Sequence, residues 1–234
     1  MSRSVLVTGA NRGIGLATAR SFIKNGDRVA AGYRSRQPPD DLFGVRCDVT
    51  DTASVDAAFA AAEAENGPVE VLVANAGIMN DRLALATSDE DFQAVLDTNL
   101  TGVFRVLRRA LADMLPGRWG RLILVSSFSG MLGSPGQAGY AASKTALLGL
   151  ARSVAREVGT RGITANVVAP GFIDTDMVSG LSSRRREEFI AMTALGRAGR
   201  PEEVANVIRF LADEEAGYVT GALIPVSGGL GMGC

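Results

Sequence analysis

The sequence has 234 residues, of which 47% are apolar and 21% charged, a balance that excludes a disordered or fibrous chain and predicts one globular domain with a sizeable core. The 24 basic and 25 acidic side chains leave a net charge of −1, which provides no overall field for binding nucleic acid or an anionic membrane. The chain contains no histidine, so histidine-based catalysis and histidine-ligated metal sites are excluded.

Short apolar runs alternate with longer amphipathic segments along the whole chain, which predicts repeated βα units around a parallel sheet. We therefore expect an α/β fold in which residues 1–234 form a single-domain, doubly wound (Rossmann) sheet of about seven strands flanked by helices. The predicted strands are residues 4–7, 27–32, 44–47, 69–74, 122–126, 163–168 and 223–226. The predicted helices are residues 14–24, 53–65, 89–114, 140–158 and 201–211.

Residues 172–200 form the least regular stretch of the sequence. They include Gly180, Ser182 and Ser183, followed by the consecutive arginines Arg184 to Arg186. This composition fits a mobile flap over a site, and it fits an ordinary solvated helix equally well.

A glycine-rich turn follows the first predicted strand. Gly9, Gly13 and Gly15 have the spacing G-x-x-x-G-x-G within residues 8–15. Without Cβ atoms, such a turn lets the backbone approach a pyrophosphate, and the start of the next helix supplies N–H donors and a positive dipole. A tight connection without a ligand is the alternative, but the first βα junction of a doubly wound sheet is where dinucleotides bind.

The residues after the second strand indicate which dinucleotide binds. An acidic residue about 20 positions after the turn would bind a ribose 2′-hydroxyl, whereas arginine accommodates a 2′-phosphate. Arg34 stands in that region, and Arg12 adds a guanidinium within the turn. This pair favours NADP(H) over NAD(H), unless both arginines are simply exposed to solvent.

Tyr140 and Lys144 are four residues apart in a predicted helix and therefore share a face. A free tyrosine has a pKa of about 10, and a nearby ammonium together with the positive charge of a nicotinamide favours the phenolate. Ser127 follows the fifth strand, at the edge of the sheet where ligands collect. We therefore predict that Ser127 polarises a carbonyl oxygen and that Tyr140 supplies the proton that histidine cannot.

These features occur together with Asn75-Ala76-Gly77, Asn99 and Pro170-Gly171 in an order and spacing that resemble the short-chain dehydrogenase/reductase family. The resemblance covers essentially the whole chain. Within the family, the sequence is most similar to the β-ketoacyl-[acyl-carrier-protein] reductases of bacterial fatty acid synthesis, in particular the actinobacterial form. The closer match lies in residues 42–51, 165–177 and 228–233.

The resemblance implies NADPH-dependent reduction of 3-oxoacyl-[acyl-carrier-protein] to the 3-hydroxyacyl product. In the roles that it implies, Ser127 and Tyr140 hold the ketone oxygen, and Tyr140 gives that oxygen a proton. Lys144 lowers the pKa of Tyr140 and binds the nicotinamide ribose, while Asn99 holds a water that relays protons to Lys144. Residues 172–200 correspond to a mobile substrate lid.

The resemblance also implies a set of cofactor-binding residues. In this set, the glycine turn binds phosphates and Arg34 binds the 2′-phosphate. Asp48 and Val49 contact the adenine, and Ile173 and Thr175 contact the carboxamide of the nicotinamide. Residues 75–77 contact the adenosine ribose region. The expected NADP(H) contacts are Gly9, Asn11, Arg12, Gly13, Ile14, Gly15, Arg34, Asp48, Val49, Asn75, Ala76, Gly77, Tyr140, Lys144, Pro170, Gly171, Ile173 and Thr175.

Three positions depart from the pattern of these reductases. Gly139 stands where Asn commonly precedes the catalytic tyrosine, Ala74 replaces the first Asn of Asn-Asn-Ala-Gly, and Ser227 replaces a common Asp. None of the three removes a reacting group. Gly139 is expected to loosen the positioning of Tyr140 or to widen the substrate cleft.

The acyl carrier protein is acidic, so a reductase acting on it should present a local basic patch. Arg118 and Arg161 match positions that serve as docking arginines in bacterial relatives, and Arg121 lies nearby in sequence. An equally open interpretation is that Arg118 and Arg161 are ordinary solvated side chains with no role in docking. Family members are usually tetramers, which suggests residues 89–114, 140–158 and 218–232 as an interface.

Two other functions remain open, because fold and catalytic residues define the chemistry but not the substrate. The first is reduction of a polyketide, steroid, sugar or xenobiotic ketone. The second is a catalytically silent NADP(H)-binding regulator, against which the retention of Asn99, Ser127, Tyr140 and Lys144 argues.

The two cysteines, Cys47 and Cys234, form neither a zinc site nor a disulfide framework by themselves. We interpret Cys47 as a small buried strand residue, with a reactive thiol as the alternative. We expect no metal, no secretion signal and no membrane span, and therefore a cytoplasmic location.

Overall fold

The computed structural model describes residues 2–178, 180–230 and 232. Ser179, Gly231 and Cys234, on which parts of the expectations above fall, lie outside these described residues. The described strands form one parallel sheet of seven, in the order β3-β2-β1-β4-β5-β6-β7. They are β1 (Ser4–Val7), β2 (Arg28–Tyr33), β3 (Phe43–Arg46), β4 (Val71–Ala74), β5 (Gly120–Val125), β6 (Ile163–Pro170) and β7 (Leu223–Val226).

Helices cover both faces of the sheet. They are α1 (Gly13–Lys24), α2 (Thr52–Asn66), α3 (Asp89–Leu96), α4 (Gly102–Gly117), α5 (Ser129–Leu132), α6 (Ala138–Val158), α7 (Ser183–Ala191) and α8 (Pro201–Ala212). The predicted doubly wound α/β fold is confirmed. Within the described residues, no helix combines the length and apolarity needed to cross a membrane.

The core divides into two layers because successive strand residues face opposite sides of the sheet. In β1, Leu6 packs into the layer formed with α2, α4 and α6, whereas Val5 and Val7 pack into the layer formed with α1 and α8. Phe59 and Phe22 are fully buried, one in each layer. Both faces of the strands are thus apolar, as a buried parallel sheet requires.

The sheet positions the functional residues through its topological switch point. β1 pairs with both β2 and β4, so the chain reverses its direction of winding after β3. A crevice forms at such a point outside the carboxyl ends of the strands, and ligands bind there. The glycine turn follows β1, and Ser127 follows β5, at this same edge.

The single helix predicted over residues 89–114 is wrong. α3 and α4 are separated by a π-helical turn, Asp97–Thr101, whose widened hydrogen-bonding pattern contains the buried Asn99. A π turn inserts one extra residue into a helix and is frequent at functional sites. Here it places Asn99 beside the loop that follows β4.

Candidate active site

The glycine turn is shaped by close backbone approaches. Gly9 and Gly13 have φ values of 65° and 53°, in the left-handed region that favours glycine. A Cβ on Gly15 would overlap the carbonyl oxygen of Gly9. α1 begins at Gly13, so its first N–H groups are directed towards the turn. The turn therefore has the geometry of a phosphate-binding cradle.

Asn75 and Thr8 hold this turn in place. The Asn75 amide donates to the carbonyl oxygens of Thr8 at 3.0 Å and Gly9 at 3.1 Å. The Thr8 hydroxyl accepts the backbone N–H groups of Asn75 and Ala76, both at 3.0 Å. The Asn75 side chain therefore supports the cradle. This structural role is separate from the contact with the adenosine ribose region that the sequence analysis expects.

A cavity of about 400 Å³, called here the glycine-turn cavity, opens beside the cradle. It brings together most of the residues expected to bind the cofactor. They are Gly9, Asn11, Arg12, Gly13, Ile14, Gly15, Arg34, Asp48, Val49, Asn75, Ala76, Gly77 and Thr175. Cys47 also lines it, and burial raises the pKa of that thiol to about 12, which argues against a reactive thiolate.

The charges of this cavity suit a multiply phosphorylated ligand. Arg12, Arg34 and Arg36 line it, and the sequence analysis did not single out Arg36. Burial opposes ionisation of Asp48, but hydrogen bonds from Thr50 and the charge of Arg34 hold the pKa of Asp48 below its usual value. Three guanidinium groups against the carboxylates of Asp48 and Asp176 leave the lining of this cavity with an excess of positive charge, so the residues present fit NADP(H).

A second cavity of about 450 Å³, called here the Tyr140 cavity, holds the proposed chemistry. It shares Ile14, Asn75, Gly77 and Thr175 with the glycine-turn cavity, so the two adjoin. The remaining expected cofactor residues, Tyr140, Lys144, Pro170, Gly171 and Ile173, line this second cavity, as does Ser127.

Lys144 is tied to β5 by two hydrogen bonds. Its Nζ donates to the Val125 carbonyl oxygen at 2.9 Å, and its own carbonyl oxygen accepts the Ser126 hydroxyl at 2.8 Å. The side chain is buried, and burial lowers the pKa of Lys144 to about 8. The ammonium therefore loses its proton near neutral pH far more readily than a surface lysine would.

The pKa of Tyr140 moves opposite to the sequence expectation. Burial raises it, a hydrogen bond with the Ser127 side chain lowers it, and the charge of Asp81 raises it further. The net direction is upward, because the phenol is 8% exposed and water no longer stabilises its anion. Tyr140 is therefore a neutral phenol at neutral pH, which is the form that donates a proton.

Asn99 connects the π turn to the rest of the site. Its Oδ1 accepts the Ile78 N–H at 2.9 Å, and its Nδ2 donates to the Ile78 carbonyl oxygen at 2.9 Å and to the Ser143 hydroxyl at 3.1 Å. The Ser143 hydroxyl in turn donates to the Tyr140 carbonyl oxygen at 2.7 Å. Asn99 thus orients α6 through Ser143.

Gly139 has a steric explanation in this structure. A Cβ at this position would lie 3.1 Å from Cδ2 of Phe92 on α3. The aromatic ring therefore fills the space that a larger residue before Tyr140 would need. Gly139 allows α3 to pack against the start of α6, and this contact opposes the expected loosening of Tyr140.

The polar residues that line the Tyr140 cavity include Asp81, Gln137 and Arg185, to which the sequence analysis assigned no individual role. The Gln137 amide donates to both Asp81 oxygens, at 3.2 and 3.3 Å. Arg185 lies on α7, which shows that part of residues 172–200 is a helix rather than only an irregular flap. No short motif marks these positions, because separate loops bring them to the cavity.

The arginines predicted to dock a carrier protein lie at the opposite edge of the sheet. Arg118 precedes β5 and Arg161 precedes β6, and both are exposed. Arg121, which is near them in sequence, is 4% exposed and donates to the carbonyl oxygens of Gly120 and Gly162. Arg121 is therefore a buried structural residue that cannot contribute to an exposed patch.

The two adjoining cavities define a class of protein. One offers a phosphate cradle and arginines for a dinucleotide, and the other presents Ser127, Tyr140 and Lys144 at its boundary. Together they describe a nicotinamide-dependent oxidoreductase, in a chain whose sequence contains no histidine.

Comparison with known proteins agrees with this class. A family model described as Enoyl-(Acyl carrier protein) reductase matches residues 9–231. The 3-oxoacyl-[acyl-carrier-protein] reductase MabA of Mycobacterium tuberculosis is 51% identical over 233 residues, covering 100% of this chain and 94% of MabA. The corresponding protein of Mycobacterium avium is 50% identical, covering 100% and 91%. The 3-oxoacyl-[acyl-carrier-protein] reductase FabG of Escherichia coli is 43% identical over 235 residues, covering 97% and 96%.

The chain belongs to the short-chain dehydrogenase/reductase family, as the sequence analysis predicts. This family consists of NAD(P)-dependent oxidoreductases. The family assignment agrees with the order of the glycine turn, Ser127, Tyr140 and Lys144 along the sheet.

Proposed function

We propose that this protein is an NADPH-dependent 3-oxoacyl-[acyl-carrier-protein] reductase of fatty acid biosynthesis. The observation that carries the proposal is the Tyr140 cavity, in which a buried Tyr–Lys pair and Ser127 adjoin a dinucleotide-sized cavity. The names of the three relatives described above support the substrate class. The cofactor is NADP(H), and Arg34 and Arg12 are its proposed 2′-phosphate ligands.

The reduction needs a hydride and a proton, and bound NADPH supplies the hydride. Ser127 and Tyr140 hold the ketone oxygen, since both side chains line the same cavity. Tyr140 donates its proton to that oxygen as negative charge develops there. Its raised pKa keeps the phenol protonated until this step.

Lys144 stabilises the phenolate that remains. Its Nζ lies 5.9 Å from the centroid of the Tyr140 ring, within reach of a favourable charge interaction in a buried site. A pKa of about 8 also lets Lys144 pass a proton on near neutral pH. We propose that the Asn99 backbone carbonyl holds the water that returns this proton from solvent.

A substrate panel tests the proposed reaction. NADPH oxidation is followed with acetoacetyl, longer 3-oxoacyl and 2-enoyl thioesters, and with steroid, sugar and xenobiotic ketones. We expect fast turnover of the 3-oxoacyl thioesters and negligible turnover of the enoyl thioester, whose double bond offers no ketone oxygen to Ser127 and Tyr140. Fast turnover of another ketone with negligible 3-oxoacyl reduction would replace the proposed substrate.

The acyl carrier protein is the partner implied by this substrate class, and we propose that it docks on Arg118 and Arg161. Both guanidiniums are exposed, and Arg118 is held by a 3.2 Å hydrogen bond to the Thr160 carbonyl oxygen. Two exposed arginines on adjacent loops would attract an acidic partner despite the neutral chain. This edge lies about 20 Å along β5 from Ser127, so we propose that a carrier docked there delivers its arm to the Tyr140 cavity of a neighbouring subunit in the homotetramer inferred below.

Replacing both arginines with Glu tests docking. We expect KM for a carrier-linked substrate to rise about ten-fold or more, with little change for a small thioester surrogate. Charge reversal at Arg20 and Arg28, which are exposed on α1 and β2, serves as the control. Equal effects on both substrates would show that these arginines do not bind the carrier.

The remaining family expectations also stand as proposals. We infer a homotetramer built through residues 89–114, 140–158 and 218–232, which light scattering tests by mass. Residues 172–200 are the proposed substrate lid of a single domain spanning the chain. A cytoplasmic location follows from the proposed pathway and is tested by cell fractionation.

A further inference from the structure

Arg185 has no part in the reaction described above, yet it lines the Tyr140 cavity. It lies near the start of α7, and its side chain is 43% exposed. The other charged groups on the cavity wall are Asp81 and the buried Lys144. A half-exposed arginine at a cavity wall is a candidate for recognising an acceptor group on the substrate.

The position of this guanidinium is fixed by aromatic packing. It stacks on the Phe189 ring, with Cζ 4.8 Å from the ring centroid. Phe189 stacks in turn on Phe172, with centroids 5.3 Å apart and planes 14° from parallel. Arg186 lies over Phe172 at 5.7 Å and pairs with Asp174 at 3.0 Å. α7 is therefore anchored to the loop after β6, and Arg185 is held over the cavity.

Arg185 shares its carboxylate partner with a second arginine. Glu188 pairs with both Arg184, at 3.2 Å, and Arg185, at 3.0 Å, and these bonds lower the pKa of Glu188. Two guanidiniums share this one carboxylate, so Glu188 alone does not engage either guanidinium fully. Arg185 gives Glu188 a hydrogen bond from Nη1, and a guanidinium has five N–H donors. Donors therefore remain for an anion that enters the cavity.

We propose that Arg185 binds the phosphate of the 4′-phosphopantetheine arm of the thioester substrate. This inference rests on the proposed function, because such a thioester is what an acyl carrier protein delivers. The acyl chain is apolar and its ketone is held by Ser127 and Tyr140, so the arm must leave along the cavity wall. The phosphate is the one anionic group of that arm, and arginine is the side chain best suited to bind it.

The arm is tested with three acetoacetyl thioesters of increasing length. The N-acetylcysteamine thioester carries one amide. The pantetheine thioester has the full arm without its phosphate, and the 4′-phosphopantetheine thioester has the full arm with the phosphate. For the wild-type protein, we expect KM to be about ten-fold lower for the 4′-phosphopantetheine thioester than for the pantetheine thioester. Arg185→Gln should remove this difference in KM.

Arg184→Gln is the matched control. Arg184 is on the same helix and pairs with the same Glu188, but its side chain is 90% exposed and does not line the cavity. We expect this variant to keep the KM ratio of the two longer thioesters. A second measurement uses free 4′-phosphopantetheine and pantetheine as inhibitors, and the same ratio should appear in their inhibition constants.

The outcomes separate this inference from the proposed function. If Arg185→Gln raises KM equally for pantetheine and phosphopantetheine, or behaves as Arg184→Gln does, the phosphate assignment is overturned. If wild-type protein reduces none of the three thioesters, the proposed function itself fails. If the phosphate advantage is lost in Arg185→Gln alone, the assignment is supported.

Discussion

Lys144 Nζ donates to the Val125 carbonyl oxygen at 2.9 Å, and this bond joins the candidate proton-relay residue to the end of β5. Ser127 stands two residues further along the chain. The end of β5 therefore positions Ser127, the proposed carbonyl-binding residue, relative to Lys144 on α6. The protonation state of Lys144 is therefore expected to affect the stability of the fold as well as the proposed reaction.

The first prediction concerns the alkaline pH dependence of stability. The pKa of Lys144 is about 8 in the folded protein and about 10.5 in the unfolded chain, so between these pH values the unfolded state binds more protons. Stability contributed by this group must rise as pH increases from 8 to 10.5, by about 3 kcal/mol. Urea unfolding of wild type and Lys144→Met at pH 8 and pH 10.5 measures the difference. Parallel pH profiles for the two proteins would contradict the buried ammonium.

A second prediction concerns Gly77. A Cβ here would lie 3.2 Å from Asn99 Oδ1 and 3.3 Å from Lys144 Nζ, so a methyl group would separate two polar atoms of the site. We expect Gly77→Ala to lower kcat about ten-fold or more, because the added methyl group displaces Asn99 or Lys144. Gly159→Ala is the control, because nothing lies within 4 Å of its Cβ and its φ is −57°. Equal kcat values in the two variants would count against the arrangement of Asn99 and Lys144.

Cofactor choice provides a third prediction. Arg34 lines the glycine-turn cavity and its charge lowers the pKa of Asp48, so the two side chains lie close together. Arg34→Gln should weaken NADPH binding about ten-fold while NADH binding changes little, because only NADPH carries the 2′-phosphate. Fluorescence titration of both cofactors measures this, with Arg20→Gln on α1 as the control. Equal weakening of both cofactors would assign Arg34 a structural role.

The sequence was sufficient for the sheet and for the groups that carry motifs. Apolar runs locate every strand of the sheet to within a few residues, since a parallel strand buried on both faces is continuously apolar. The glycine turn could be located in the sequence because a close approach of the backbone to a pyrophosphate requires glycine at these positions. Tyr140 and Lys144 could be paired because helical spacing brings them to one face.

The features that the sequence did not predict depend on contacts between distant parts of the chain. The π turn around Asn99 accompanies side-chain bonds to Ile78, which lies 21 residues earlier. Arg185 reaches the cavity because Phe189 packs on Phe172, which precedes it by 17 residues in the chain. Arg121 resembles a surface arginine in sequence but is buried under backbone carbonyl groups. No local pattern reports such tertiary partners, so sequence alone predicted neither the turn nor these two roles.

The central claim is that the Tyr140 phenol protonates the ketone oxygen. Tyr140→Phe removes that proton while preserving the ring, and the buried ring supplies the packing of the site. Single-turnover oxidation of NADPH with an acetoacetyl thioester, measured beside NADPH affinity, tests the claim most directly. We predict a loss of rate of at least about 100-fold with NADPH affinity nearly unchanged. A variant that reduces the thioester within two-fold of the wild-type rate would contradict the account.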